Sequence, residues 1–316
     1  MNGKLRLLRS ILPLVLLPVL LAAAAPDPAA VVKTAWKQLG DRHYRDAVES
    51  FRRAEELTGN TCGACQIGLS RAYTGLGKAP EAVEAARKAV TLVKTPEALT
   101  QAYNQLGVAL LSVPGADPAE AEAAFRKTLE VAGDAETTKL ARYNLAEVLL
   151  REKRYADSIE AARQYLEVDP EGFASNRARA TLCMARRADK SPFLTPEEMA
   201  EHQVDCQTKK EILVVGGKDP AVTAKVSRPE KLFGAVPVYT ESARRDKVNG
   251  KVILESIIDE DGCVRHLVVC RGLHPDLDRS AMDTISTWVF KPATLEGKPV
   301  KIYYVLTVSF SVQGGH

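Results

Sequence analysis

Apolar positions recur at helical spacing through the first half of the chain and at strand spacing through its last third. Between residues 31 and 170 one amphipathic phrase returns four times, as YRDAVESFRRAEEL (44–57), APEAVEAARKAVTL (79–92), PAEAEAAFRKTLEV (118–131) and YADSIEAARQYLEV (155–168). Aligning Ala47, Ala82, Ala121 and Ser158 gives steps of 35, 39 and 37 positions, the period of a helix–turn–helix repeat with short insertions. Each phrase follows a second helical stretch, clearest at 102–111 and 141–150. There Tyr103, Leu106, Gly107 and Leu110 gather on one face, with glycine where two helices approach closely. No unit buries its apolar face alone, so four stacked units predict an all-α solenoid with a concave groove. By register, Arg71, Gln101 and Asn104 are expected on that groove. A helix at 174–187, within a capping segment 171–190, is expected to close the stack.

Residues 191–227 read as a linker, after which β-branched residues, glycine and turn signals replace the alanine-rich period. Two strand-like runs, 250–259 and 263–271, are joined by Glu260, Asp261 and Gly262, a hairpin signal. A helix is expected over 276–289, with Leu277, Ala281, Ile285 and Trp288 on one face, stopped by Pro292. Val300, Ile302, Tyr304, Leu306, Val308, Phe310 and Val312 then alternate with polar positions, as in a strand with one face on a core. The pattern predicts a small α+β domain: an antiparallel sheet, helices on one face and an edge strand open for pairing.

The first 25 residues stand apart. Lys4, Arg6 and Arg9 precede an unbroken apolar run at 11–25 that ends in small residues before Pro26, Asp27 and Pro28, the order of a secretory leader. As a helix the run would span about 22 Å against roughly 30 Å of hydrocarbon, and Pro13 and Pro18 interrupt it. Cleavage at Ala24 or Ala25 and a periplasmic destination are expected; the alternative is an uncleaved inner-membrane anchor. The formal charge is +3, and the leader alone carries three basic residues. The rest is about neutral and lacks the footprint of a nucleic-acid binder.

Six cysteines suit an oxidising compartment without making a disulfide scaffold. Cys62 and Cys65 open a predicted helix, where a thiolate is stabilised. A thioredoxin setting needs a strand before the motif, and haem attachment needs a histidine where Gln66 stands. A structural Cys62–Cys65 disulfide or a pair of free thiols is therefore the expectation, with a thiol oxidoreductase as the competing reading. Pairing Cys183 with Cys206 would close a loop of about 23 residues, worth about 3 kcal/mol in the chain-entropy model. Cys263 and Cys270 lie about 23 Å apart along one strand and cannot bridge each other. No second CxxC supports zinc, and HExxH, GxxxxGK[ST] and GxGxxG are absent. Neither an enzyme, nor a cofactor, nor a metal site is expected.

The repeat phrases, with Pro170 after the fourth, resemble the tetratricopeptide repeat, which implies a protein- or peptide-binding scaffold. Pro237, Tyr239, Ala243, Arg244, Gly250, Val252, Asp259, Asp261, Gly262, Leu277, Asp278, Trp288, Phe290, Pro292, Ala293, Gly297 and Phe310 resemble the C-terminal domain of the TonB family over 228–312; Val215, Gly216 and Gly217 resemble its lead-in. That resemblance implies a periplasmic domain that contacts outer-membrane transporters by adding an extended partner segment to its sheet. Lys301, Tyr303, Val305, Thr307, Ser309 and Ser311 would flank such a contact. A transducing TonB keeps a membrane anchor and a proline-rich spacer, whereas this leader is followed by a solenoid, which argues against force transduction. Thr240 also stands where the family usually has a second proline. The expected role is a TonB-like adaptor in envelope transport, with outer-membrane receptors or other envelope protein segments as partners. The alternative is a repeat scaffold recruiting peptides through its groove without energy transduction. Neither nucleic acid nor a small-molecule substrate is expected.

Overall fold

The computed structural model describes residues 26–189, 212–214 and 225–312. The expected leader, Cys206, the lead-in at 215–217 and most of the 191–227 linker lie outside the described residues.

The first part is built from α1 (Pro28–Gly40), α2 (Tyr44–Leu57), α3 (Gly63–Gly75), α4 (Ala79–Leu92), α5 (Pro96–Leu111), α6 (Pro118–Val131), α7 (Ala135–Arg151), α8 (Tyr155–Val168) and α9 (Ser175–Asp189). Successive pairs form hairpins that stack in order, and α9 packs on α7 and α8. Helix starts follow local chemistry: Asp27, Thr95, Asp117 and Asp134 accept main-chain N–H bonds at the starts of α1, α5, α6 and α7, three of which carry proline in the first turn. Small residues hold the crossings, and Phe51 and Phe125 are fully buried between hairpins. Gly107 allows this approach, because a Cβ there would lie 2.5 Å from the Phe125 ring.

The second part comprises β1 (Ile212–Val214), β2 (Glu230–Phe233), α10 (Glu241–Arg245), β3 (Gly250–Ile258), β4 (Val264–Arg271), α11 (Pro275–Ile285), β5 (Val289–Lys291), β6 (Thr294–Leu295), β7 (Lys298–Pro299) and β8 (Ile302–Phe310). Four strands form an antiparallel sheet in the order β1-β8-β3-β4. Val252, Leu254 and Ile258 of β3 and Ile302, Leu306, Val308 and Phe310 of β8 share one core with Leu277, Ala281 and Ile285 of α11. The alternation read along 300–312 is thus the core face of β8.

Two expectations for this part are corrected. The helix ends at Ile285, not 289, because the next residues are recruited elsewhere: Trp288 Nε1 donates to the Ala235 carbonyl at 2.9 Å, Phe290 donates its main-chain N–H to the Gly262 carbonyl at 2.9 Å, and Val289 pairs with β2. Tertiary pairing of a β-branched and an aromatic residue outweighs helical continuation. Nor is β8 an edge along its whole length. It pairs with β3 from Ile302 to Phe310, and with β1 at Ile302, Tyr303 and Tyr304.

The helix expected to cap the solenoid packs on α7 and α8 and also docks the second part. Cys183 of α9 is bonded to Cys263 in the β3–β4 turn, with the Cα atoms 5.2 Å apart. The expected Cys183–Cys206 pairing is therefore wrong; helix docking brings Cys183 to a partner a sequence separation of 80 away. Cys270 is also disulfide-bonded, and no cysteine among the described residues is free.

Candidate protein-binding surfaces

Main-chain direction along β8 is set by two contacts. Ser256 Oγ donates to the Tyr304 carbonyl at 3.2 Å, and the Val312 N–H donates to Asn249 Oδ1 at 2.8 Å. Even-numbered residues of this strand therefore turn their N–H and C=O groups toward β3. Alternation sends those of Tyr303, Val305, Thr307 and Ser309 the opposite way. Tyr303 meets Leu213 of β1 there, whereas among the described residues no strand pairs with 305–310. Thr307, Ser309, Ser311 and Lys301 are exposed, and Tyr303 and Val305 are half-buried. The opposite edge of the sheet is less regular: β4 has two register shifts against β3, a left-handed His266 (φ 50°) and the disulfide-bonded Cys270. Such irregularities blunt an edge against pairing.

In the solenoid, the first helices of successive hairpins touch one another and line one side. The three residues expected on the groove fare differently. Arg71 is exposed, its guanidinium 5.4 Å from the centroid of the Trp36 ring. Gln101 is half-buried and donates to Asp134 Oδ2 at 3.1 Å, tying α5 to the start of α7. Asn104 is buried and accepts from Asn144 Nδ2 at 3.1 Å. The Asp134 carboxyl is held below its ordinary range, first by the Thr137 hydroxyl, against burial, and then by Gln101. Farther along, Arg177 lies 5.9 Å over Tyr143, whose hydroxyl is pushed up to about 12 by burial, with Glu147 adding to the shift.

Between the two parts lies a joint that sequence reasoning missed. Arg186 of α9 is ion-paired with both Asp259 and Asp261. Arg163 reaches Asp261 at 3.1 Å, and Lys291 reaches Glu171 at 2.9 Å. Asp259 also accepts the N–H groups of Asp261 and Cys263 at 3.1 and 2.9 Å, closing the turn from within. Burial raises the Asp259 carboxyl above its ordinary value, and Arg186 opposes that shift. The two aspartates had a signal in the resemblance, but nothing local marked Arg186 as their partner.

Comparison with known families follows this division. Residues 235–312 match the family described as Gram-negative bacterial TonB protein C-terminal, and residues 115–175 match the tetratricopeptide repeat. The chain joins a tetratricopeptide-repeat region to a TonB-family C-terminal domain. Both are interaction modules. No curated protein matches the chain. Among solved structures, MamA is 19% identical, with a TM-score of 0.42 over 51% of this chain and 82% of its own. A thermophilic TPR protein of Thermus thermophilus is 21% identical, with a TM-score of 0.42 over 49% and 81%. YrrB, described as a TPR protein with an unusual peptide-binding site, is 16% identical, with a TM-score of 0.41 over 52% and 78%. Within the TonB-family domain, β8 turns main-chain groups outward at 305–309, where no strand among the described residues meets them. No helix among the described residues is long and apolar enough to cross a membrane.

Proposed function

We propose that this chain is a periplasmic adaptor whose TonB-like domain takes up an extended segment of an envelope partner along β8. A tetratricopeptide groove is held beside it to engage a second protein segment. The observation that carries the reading is the open edge: Val305, Thr307 and Ser309 turn main-chain groups away from β3 where no described strand meets them. A partner strand adding there gains affinity from main-chain hydrogen bonds and register from alternate side chains. Tyr303, Val305 and Thr307 flank that path, as expected of an outer-membrane receptor segment or a similar envelope peptide. The joint through Cys183, Cys263 and Arg186 would hold the groove and the edge in one orientation, so that one chain brings two proteins together. This role needs no force transduction, in keeping with a cleavable leader and a solenoid in place of a spacer.

Proline substitution tests the edge, because proline removes one donor and its effect depends on which way that donor points. Thr307→Pro is expected to leave the β3–β8 pairing standing and abolish capture of the partner recovered from envelope extract. Val308→Pro, whose N–H faces β3, is expected to unfold the domain. Normal capture by a folded Thr307→Pro variant would remove this edge from consideration and leave the groove, with exposed Arg71, as the binding surface.

A further inference from the structure

Cys62 and Cys65 form a disulfide at the start of α3, and their surroundings are not those of a simple staple. The bond spans three positions within one helix start, ties no two elements together and constrains little of the unfolded chain. Its two sulfurs are unequal. Cys62, half-buried, sits at the helix N-cap, where its Sγ accepts the N–H of Cys65 at 3.1 Å, whereas Cys65 is fully buried. Exposed Thr61 and Ala64 flank Cys62. The Cys183–Cys263 bond, by contrast, has both cysteines buried in the joint.

Behind the pair stands Glu55 of α2, 5% exposed. A carboxylate oxygen of Glu55 and the two sulfurs all lie within 4.8 Å of one another. Gln66 and Lys88 donate to Glu55 Oε2, while Oε1 is buried and has no hydrogen-bond partner. A buried carboxylate oxygen without a partner is costly unless it has a task. Glu55 also lines a cleft of about 360 Å³ with Arg52, Gln66, Tyr73, Glu81 and Lys88, which gives it a route to solvent.

We infer that Cys62–Cys65 is a thiol–disulfide exchange site that oxidises a dithiol, with Cys62 as the sulfur attacked and Glu55 as the proton relay to Cys65. A substrate thiolate attacks Cys62 Sγ, the Cys62–Cys65 bond breaks, and its electron pair leaves on Cys65. A proton taken up by the Glu55 carboxylate from the cleft passes on to that sulfur, returning Glu55 to the carboxylate. The second substrate thiolate then attacks the substrate sulfur of the mixed disulfide and expels Cys62 as a thiolate. The Cys65 N–H and the helix N-terminus stabilise that thiolate until it takes up a proton. Two electrons pass from the substrate to the protein pair, and the two protons lost by the dithiol balance those gained by Cys65 and Cys62. The bond already present is the oxidant for one turnover.

The test uses the oxidised full chain, a synthetic peptide bearing two cysteines and no other oxidant. Thiols are labelled and located by peptide mapping. One equivalent of peptide disulfide should form per chain, with label confined to Cys62 and Cys65. In Cys65→Ser, a peptide disulfide should be trapped as a stable adduct on Cys62. In Cys62→Ser the buried Cys65 should form none. Glu55→Gln should slow exchange about 100-fold and flatten its pH profile, with Glu55→Asp recovering part of the rate and the helical circular dichroism unchanged. A wild-type chain that leaves the peptide reduced, or that opens Cys183–Cys263 first, would overturn the site. A Glu55→Gln variant exchanging at the wild-type rate and pH profile would overturn the relay.

Discussion

Cys183 on the last repeat helix and Cys263 in the β3–β4 turn are bonded across 80 positions of sequence, with their Cα atoms 5.2 Å apart. A link closing so long a loop contributes about 4 kcal/mol in the chain-entropy model. Replacing both cysteines by serine should therefore lower the stability of the joined protein. By calorimetry it should also split one coupled unfolding transition into two, one for the solenoid and one for the TonB-like domain.

Arg186 is the polar half of the same joint. Its side chain is 18% exposed and that of Asp259 5%, so Arg186→Ala would leave a buried carboxylate without its partner, at a cost of about 3 kcal/mol. Chemical denaturation of the oxidised protein and the variant measures this difference.

The same carboxyl predicts a pH dependence. Burial raises the Asp259 pKa in the folded protein, against the pull of Arg186, so the folded state holds this proton more tightly than the unfolded chain. Its contribution to stability is full below the unfolded value, near 4, and is lost as pH rises through the raised folded value. Asp259→Asn cannot titrate. Urea midpoints from about pH 4 to pH 7 should show the wild type losing stability relative to this variant as pH rises.

In the solenoid, Gly107→Ala places a methyl 2.5 Å from the ring of fully buried Phe125. Overpacking of this kind costs about 1–3 kcal/mol, and a lowered thermal midpoint with normal helical content is the expected result.

These residues also show what the sequence made legible. Gly107 stood out because its helical period and its neighbours Leu106 and Leu110 are local signals, and the hairpin at Asp261 and Gly262 was readable for the same reason. The core face of β8 was plain from strict alternation. The strand partner of Tyr303 was not, because β1 is three residues long and Leu213 lies 90 positions away. The end of α11 was misplaced because Val289 and Phe290 are drawn into pairing with β2 and Gly262, contacts that no helical window contains. Cys183 was given the wrong partner, since a short loop to Cys206 is the economical choice until α9 is seen to dock on the second domain. Glu55 carried no signal at all; its position behind Cys62 and Cys65 exists only once α2 and α3 are packed.

Amide hydrogen exchange along β8 tests the central claim most directly. In the free protein the even-numbered amides of β8 beyond Tyr304 are held by β3, whereas those of Val305, Thr307 and Ser309 face outward. On addition of the envelope partner captured by the protein, exchange at Val305, Thr307 and Ser309 should slow markedly, with little change at Leu306 and Val308. Unchanged exchange at all three outward amides, with protection appearing instead along α1, α3, α5 and α7, would contradict strand addition at this edge.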